Sequence, residues 1–328
     1  MEQREFGRTG MRFSRLGYGA GAVGGLMVRG TVAERERSIG TALAAGVTYF
    51  DTAPLYGDGL SETHLGQALR ALKANPFVGT KVRVNPAFRA AGLAASLTAA
   101  LEASLKRLGR ESVDLYQLHN PMTASGSDGD IGLAELEAEI IPTLTKLREQ
   151  GKLRAAGITA LGETAVLKRI VTGGGFQAAQ IPFNALNPTA LWPFPKGLPG
   201  HDFAGLMSDA VQAGVGVIAI RIIAGGALSG EVGRHPVAMP KVAPIGSAAS
   251  YEADAAAARR LLPLVQEGVA SSLAELALRF ALTPGELGSG TALIGTASQE
   301  ELEQALAAAA KGPLSQQVMD RVHALLSA

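Results

Sequence analysis

The sequence predicts a (β/α)8 (TIM) barrel with an N-terminal β-hairpin and extra helices near the C-terminus. Three observations predict it. Short β-branched or apolar runs alternate with Ala/Leu/Glu/Arg-rich amphipathic stretches along almost the whole chain. The repeat recurs at roughly 30–40 residues, the size of one βα unit. The chain has 328 residues, comfortable for one such barrel of typically about 250 residues plus insertions.

The elements follow in order. REFGRTGMRFS (4–14) reads as two short strands around Gly7 and Gly10. The barrel strands are SRLGYG (14–19), VTYFD (47–51), FVGTKV (77–82), VDLYQLH (113–119), LRAAGIT (153–159), AAQIPF (178–183), VGVIAI (215–220) and TALIG (291–295). Helices are expected at about 32–45, 61–72, 89–108, 133–150, 162–172, 202–213, 271–281 and 298–310. Strand–helix alternation implies parallel strands with helical crossovers, and eight units close a barrel. Further helices are expected near 251–265 and 314–326. No low-complexity linker interrupts the series, so residues 1–328 are read as one domain.

Composition excludes several classes. At 47% hydrophobic and 18% charged residues, the chain can bury a full core. Net charge is +1 and the basic residues are scattered, so no footprint for nucleic acid or anionic lipid is expected. Cysteine is absent, which removes disulfides and thiolate metal sites, and no metal site is expected. No signal-peptide core and no apolar run of about 18 residues occur, so a cytoplasmic location is the default. Oligomeric state is not encoded in any visible motif.

Residues 19–24 read GAGAVG, a G-x-G-x-x-G match in a chain with 41 glycines. A dinucleotide-binding turn of a doubly wound sheet needs its helix to start at the third glycine. Here Gly24 is followed by Gly25 and then Gly30, and the helical pattern starts only near Thr31. The segment is therefore read as a loop over the first barrel strand, where glycine lets the backbone pass close to a neighbour.

The chemistry is expected at the C-terminal strand ends, the face where barrel enzymes keep their sites. The second strand ends in Asp51, followed by Tyr56; the third carries Lys81; the fourth ends in His119. Singly, each has a bland explanation: an Asp capping a turn, a packing Tyr, a structural His. A lysine ending an apolar strand is harder to dismiss, because an unpaired buried ammonium is costly. Together, on consecutive strands, they form a set with one purpose. A lysine ammonium stabilises a neighbouring phenolate and is expected to lower the Tyr56 pKa from its usual value near 10. Asp51 pairs with Lys81 and aims it. His119 polarises a substrate carbonyl. Tyr56 is then the general acid for reduction of a C=O, or the base for oxidation of an alcohol. None of the four supplies hydride, so a redox reading requires a nicotinamide cofactor, NAD or NADP.

These segments resemble the aldo/keto reductase superfamily. The resemblance is carried by GRTGMRFSRLGYGA (7–20), GVTYFDTAPLYGDGLSETHLGQAL (46–69), VGTKV (78–82), SLKRLGRESVDLYQLHNP (104–121), LREQGKLRAAGIT (147–159), QIPFNALNP (180–188), AGVGVIAIRIIAGGALSG (213–230) and LIGTASQEELEQAL (293–306). It implies that Asp51, Tyr56, Lys81 and His119 are the catalytic tetrad. It also implies a nicotinamide extended across the barrel mouth, and hydride transfer to an aldehyde, ketone or sugar hemiacetal carbon. For cofactor contacts it implies Thr159 and Gln180 at the carboxamide and the stretch from Gly295 and Thr296 to Glu301 at the adenosine ribose.

The chain departs from the family pattern at several of these positions. Ala160 stands where an asparagine is common, and Ile220-Arg221 where a stacking aromatic is common. Arg221 is the candidate for stacking, since a guanidinium lies flat on a ring; pairing with a phosphate or substrate oxygens is the alternative. Gly225 and Gly226 could offer backbone N–H groups to the pyrophosphate. No Lys or Arg marks the ribose site, and Glu301 would repel a 2′-phosphate, which argues for NAD; the family's general habit argues for NADP. Favourable negative charge of Glu300 and Glu301 at the first turn of the following helix is the simpler reading. For the substrate pocket, Tyr18, Leu55, Met122, Trp192 and Phe194 are the expected lining, with burial for stability an equal reading for Trp192. The altered cofactor positions leave room for a second function, a nicotinamide-binding sensor or regulatory subunit with little turnover.

Overall fold

The computed structural model describes residues 1–193, 200–283 and 290–327. A hairpin of β1 (Gln3–Glu5) and β2 (Arg12–Ser14) precedes the barrel strands β3 (Leu16–Gly19), β4 (Tyr49–Asp51), β5 (Phe77–Val82) and β6 (Val113–Leu118). A short parallel pair, β7 (Met122–Thr123) and β8 (Ile131–Gly132), sits in the next connection. Strands β9 (Leu153–Thr159), β10 (Ala178–Pro182), β11 (Gly216–Ile220) and β12 (Thr291–Ile294) complete the cylinder. All eight barrel strands pair in parallel, in chain order, and β12 closes on β3. This is the (β/α)8 barrel the sequence predicts.

Along each strand, residues alternate between the barrel interior and the layer under the helices. Tyr49, Leu115, Ala155, Ala178 and Ile218 face inward. The hairpin plugs the floor beneath them: Phe6 stacks on Phe13, and Phe13 on Tyr49. Phe50 and Tyr18 belong to the larger core between barrel and helices.

The helices are α1 (Leu26–Arg29), α2 (Val32–Ala44), α3 (Leu60–Ala71), α4 (Pro86–Ala91), α5 (Leu93–Leu108), α6 (Leu133–Glu135), α7 (Ile141–Glu149), α8 (Thr164–Thr172), α9 (Leu206–Gln212), α10 (Tyr251–Arg259), α11 (Leu262–Gln266), α12 (Leu273–Leu282), α13 (Gln299–Ala310) and α14 (Gln316–Ser327). Local chemistry starts many of them. Thr31 and Glu34 form a capping box on α2, and Ser272 and Ser298 cap α12 and α13. Three expectations are corrected. The helix expected at 89–108 breaks at Gly92, whose φ of 91° takes the chain out of helical geometry. The helix expected at 251–265 is two, with Pro263 in the first turn of α11, where its missing N–H is harmless. α6 runs into α7 through a π-helical turn at Leu136–Ile140. No described helix is long and apolar enough to cross a membrane.

The GAGAVG segment leads into α1, a single turn the sequence pattern does not announce. A Cβ at Gly24 would lie 2.6 Å from the Thr296 carbonyl oxygen, so glycine here permits contact with the loop after β12.

Candidate active site

Strand order brings the four expected residues to one rim. Asp51 and Lys81 are inward-facing on adjacent strands and both are 1% exposed. Tyr56 follows β4 in the turn before α3, and His119 directly follows β6. Lys81 Nζ forms an ion pair with Asp51 Oδ1 and donates to the Thr52 carbonyl at 2.9 Å. The same ammonium lies 3.2 Å from the Tyr56 hydroxyl. The His119 ring meets the Tyr56 ring edge-on, with centroids 5.8 Å apart.

Electrostatics correct one expectation. Burial raises the Tyr56 pKa above its ordinary value; Lys81 opposes this but does not overcome it, since Asp51 works the other way. The phenol is therefore held protonated rather than made acidic. Burial would lower the Lys81 pKa, but Asp51 and Tyr56 outweigh it and the amine is held charged. Burial, with Lys81 and Arg83 nearby, pushes His119 down to about 3, so its imidazole is neutral. His119 Nδ1 is buried with no hydrogen-bond partner.

Asp51 has a second set of contacts that sequence reasoning missed. Its Oδ2 accepts from Tyr49 Oη at 2.8 Å, Gln180 Nε2 at 2.6 Å and Gln117 Nε2 at 3.3 Å. The available signal was strand parity: Tyr49 lies two residues before Asp51, and Gln117 two before His119, on the same faces. Gln180, expected at the carboxamide, donates an amide N–H to Asp51. Thr159 lies on β9 with its hydroxyl buried and unpartnered.

At the end of β11, Arg221 adopts left-handed backbone geometry with φ of 60°, uncommon for a side-chain-bearing residue. Its Nη2 donates to the Ala243 carbonyl at 2.7 Å, its Nε is buried without a partner, and no described carboxylate pairs with it. Gly225 and Gly226 have φ of 69° and 112° in the turn Ala224–Ser229. Arg234, not singled out from sequence, donates to the carbonyls of Gly225 at 2.8 Å and Met239 at 2.6 Å. Met239 N–H reaches the Val23 carbonyl at 3.0 Å, so this connection meets the glycine loop after β3. A Cβ at Gly21, in that loop, would stand 4.0 Å from the Tyr56 ring.

Gly295 packs close to the Gly19 carbonyl, and the buried Thr296 hydroxyl has no partner. Glu301 is a cap: its Oε2 accepts from Ala297 N–H at 2.7 Å, and its own N–H donates to Ser298 Oγ at 3.2 Å.

The substrate-pocket expectations fare less well. Tyr18 points outward, because its neighbours Gly17 and Gly19 take the inward positions; its hydroxyl meets Ser38 Oγ on α2 at 2.9 Å. Met122 is wholly buried in the outer core. Trp192 is half-buried against Phe183, Phe280 and His323, where it braces α12 and α14, the packing role. Leu55 is exposed beside Tyr56 in sequence. Phe194 lies outside the described residues. No group of three or more potential metal ligands occurs among the described residues.

Comparison with known proteins gives a consistent result. The model of the aldo/keto reductase family matches residues 15–327. L-galactose dehydrogenase of Arabidopsis thaliana is 29% identical over 340 residues, covering 99% of this chain and 94% of that protein. D-threo-aldose 1-dehydrogenase of a Pseudomonas species is 32% identical over 186 residues, covering 49% of this chain and 54% of that protein. Among solved structures, the holo form of aldo-keto reductase AKR11C1 from Bacillus halodurans superposes with a TM-score of 0.71. It is 23% identical, with 99% of this chain and 96% of that one covered.

Proposed function

Since the chain belongs to the aldo/keto reductase family and is an oxidoreductase, we propose that it moves a hydride between a nicotinamide and a carbonyl or alcohol carbon. Tyr56 is the general acid and base. One observation carries this reading: the Tyr56 hydroxyl lies 3.2 Å from an ammonium that is itself fixed by a buried carboxylate.

The roles follow from the geometry. In reduction, the protonated Tyr56 gives its proton to the developing alkoxide, and Lys81 stabilises the phenolate left behind. In oxidation the phenolate takes the alcohol proton. A neutral His119 donates or accepts one hydrogen bond without adding a positive charge, which suits it to orient the substrate oxygen. Asp51 keeps Lys81 charged and aimed.

The residues at the mouth fit a nicotinamide dinucleotide. Thr159 Oγ1, Arg221 Nε and Thr296 Oγ1 are buried polar atoms with unspent hydrogen-bonding capacity. Thr159 ends β9, and Arg221 and Thr296 lie on the connections after β11 and β12. Thr159 and the Gln180 carbonyl would hold the carboxamide, Arg221 with Gly225 and Gly226 the nicotinamide face or pyrophosphate, and Gly295 to Glu301 the adenosine ribose. The cofactor, when bound, would supply the hydride in reduction and accept it in oxidation.

Two relatives are named as dehydrogenases of sugars, so aldoses head the proposed substrates, with simple aldehydes and ketones beside them. The test is titration with NAD(H) and NADP(H) separately, then a panel of aldoses, aldehydes and ketones with the tighter cofactor. Turnover read at 340 nm is expected. Tight cofactor binding with no turnover across the panel would favour the regulatory alternative.

A further inference from the structure

Asp51 is held from four directions, and only Lys81 among these partners belongs to the tetrad. Among the others, Tyr49 has no exposed surface. Its ring is fixed from below by Phe13, at 4.5 Å between centroids. Its hydroxyl is fixed from the side: a Cβ at Gly79, on the adjacent strand, would lie 2.3 Å from that oxygen. Strand β5 thus leaves a space of hydroxyl size at the level of Asp51, and Tyr49 fills it. A phenylalanine would satisfy the stacking and leave that space idle.

We propose that Tyr49 is a positioning residue of the active site, whose hydroxyl, donated to Asp51, sets how much of the Lys81 charge reaches the Tyr56 phenol. The proposal rests on the reading of Tyr56 as the acid–base group. The physical chain is short. Three neutral donors on Oδ2 draw the carboxylate's charge away from Oδ1, the atom that faces Lys81. Hydrogen bonds to an ionised group polarise it in this way, and in a water-poor interior the effect is little screened. Remove one donor and Oδ1 neutralises Lys81 more completely. The ammonium then stabilises the Tyr56 phenolate less, and the phenol becomes a weaker acid.

Other charges around the pair do not confuse this assignment. Facing Tyr56 are Lys81 and Asp51 from β5 and β4, Arg221 after β11, and the neutral His119 after β6, with Arg83 lying toward His119. Facing Tyr49 is the charged Asp51, with Lys81 on that carboxylate's other oxygen; Gln117 and Gln180 are polar neighbours. Desolvation and Asp51 hold the Tyr49 phenol far above its ordinary pKa, so it remains a donor at any working pH.

The experiment is Tyr49→Phe, which keeps the ring stack and deletes the hydroxyl. The pH dependence of alcohol oxidation is followed at saturating oxidised cofactor, with kcat and KM separated. The rate rises with pH and levels off as Tyr56 ionises. In Tyr49→Phe the levelling point is expected about half a unit to one unit higher. On the rising limb kcat falls about three- to tenfold, with the cofactor KM unchanged. Gln117→Leu, which removes the longest bond to the same oxygen, moves the profile the same way by less and carries the test if the Phe variant does not fold. A lowered melting temperature with an unmoved profile would mean a purely structural tyrosine and would overturn the proposal, as would no change at all. The chain has five tyrosines, so NMR with 13Cζ-labelled tyrosine, assigned by Tyr→Phe variants, reads Tyr56 ionisation without turnover. A Tyr56 resonance that titrates alike in both proteins sinks the proposal. Full turnover by Tyr56→Phe instead sinks the functional reading.

Discussion

The Lys81 ammonium stands 3.2 Å from the Tyr56 hydroxyl, yet the phenol remains protonated because burial outweighs that single charge. On the proposed reading, this relationship makes Tyr56 a stored proton with a prepared conjugate base. The proton is present at neutral pH, and the charge needed once it leaves is already in place.

Tyr56→Phe should therefore lose turnover by about 10²–10⁴-fold in both directions. Cofactor affinity should stay, since the proposed role gives the deleted oxygen to the substrate rather than to the cofactor. Equilibrium titration with the cofactor, set beside steady-state rates, checks both halves. Wild-type rates in the variant would remove Tyr56 from the chemistry.

Lys81→Met should fail as an enzyme to a similar degree and also lose stability. Stranding a buried charge costs about 3–5 kcal/mol. Asp51 would still have Tyr49, Gln180 and Gln117, so the low end of that range is expected. Chemical denaturation measures the loss. The double variant Asp51→Asn/Lys81→Met should regain part of the stability and none of the activity; a pair that recovers both would contradict the assigned roles.

Much of this was legible in the sequence, and the gaps have physical causes. Apolar strand runs alternating with amphipathic helical stretches set the barrel, and Asp51, Lys81 and His119 stood out as polar groups ending apolar strands. Tyr49 and Gln117 did not stand out, because an aromatic or amide inside a strand looks like ordinary core until its partner is known. Parity also decides Tyr18: with Gly17 facing inward, Tyr18 faces Ser38 on the helix side. The break at Gly92 hid in an alanine-rich helical pattern. The protonated state of Tyr56 depends on how completely the fold buries it, which no residue spacing records.

His119 gives a prediction with a definite sign. Its folded pKa is about 3, below the ordinary 6.5 expected of the unfolded chain. Above pH 6.5 neither state binds the proton and the full contribution to stability is present. As pH falls from 6.5 toward 3, the unfolded state takes up a proton that the folded state refuses, and stability is lost. The slope for one proton is at most about 1.4 kcal/mol per pH unit. Thermal melts of wild type and His119→Gln between pH 7.5 and 4 should diverge, with wild type falling more steeply. Parallel curves would show that His119 is protonated in the fold.

Glu301 offers a test of cofactor preference. Its carboxylate caps α13 by accepting from Ala297 N–H at 2.7 Å, which fixes a negative charge beside the Thr296 loop. A 2′-phosphate placed there would be repelled, whereas a 2′-hydroxyl could donate to the carboxylate. Glu301→Gln keeps a capping acceptor and removes the charge. The variant should bind NADP(H) about three- to tenfold more tightly, equivalent to roughly 0.7–1.4 kcal/mol, while NAD(H) affinity holds or weakens slightly. Because the site is exposed, the gain should shrink as salt is raised. Titrating both cofactors at low and high ionic strength tests it; an unmoved NAD(H)/NADP(H) affinity ratio would reduce Glu301 to a helix cap.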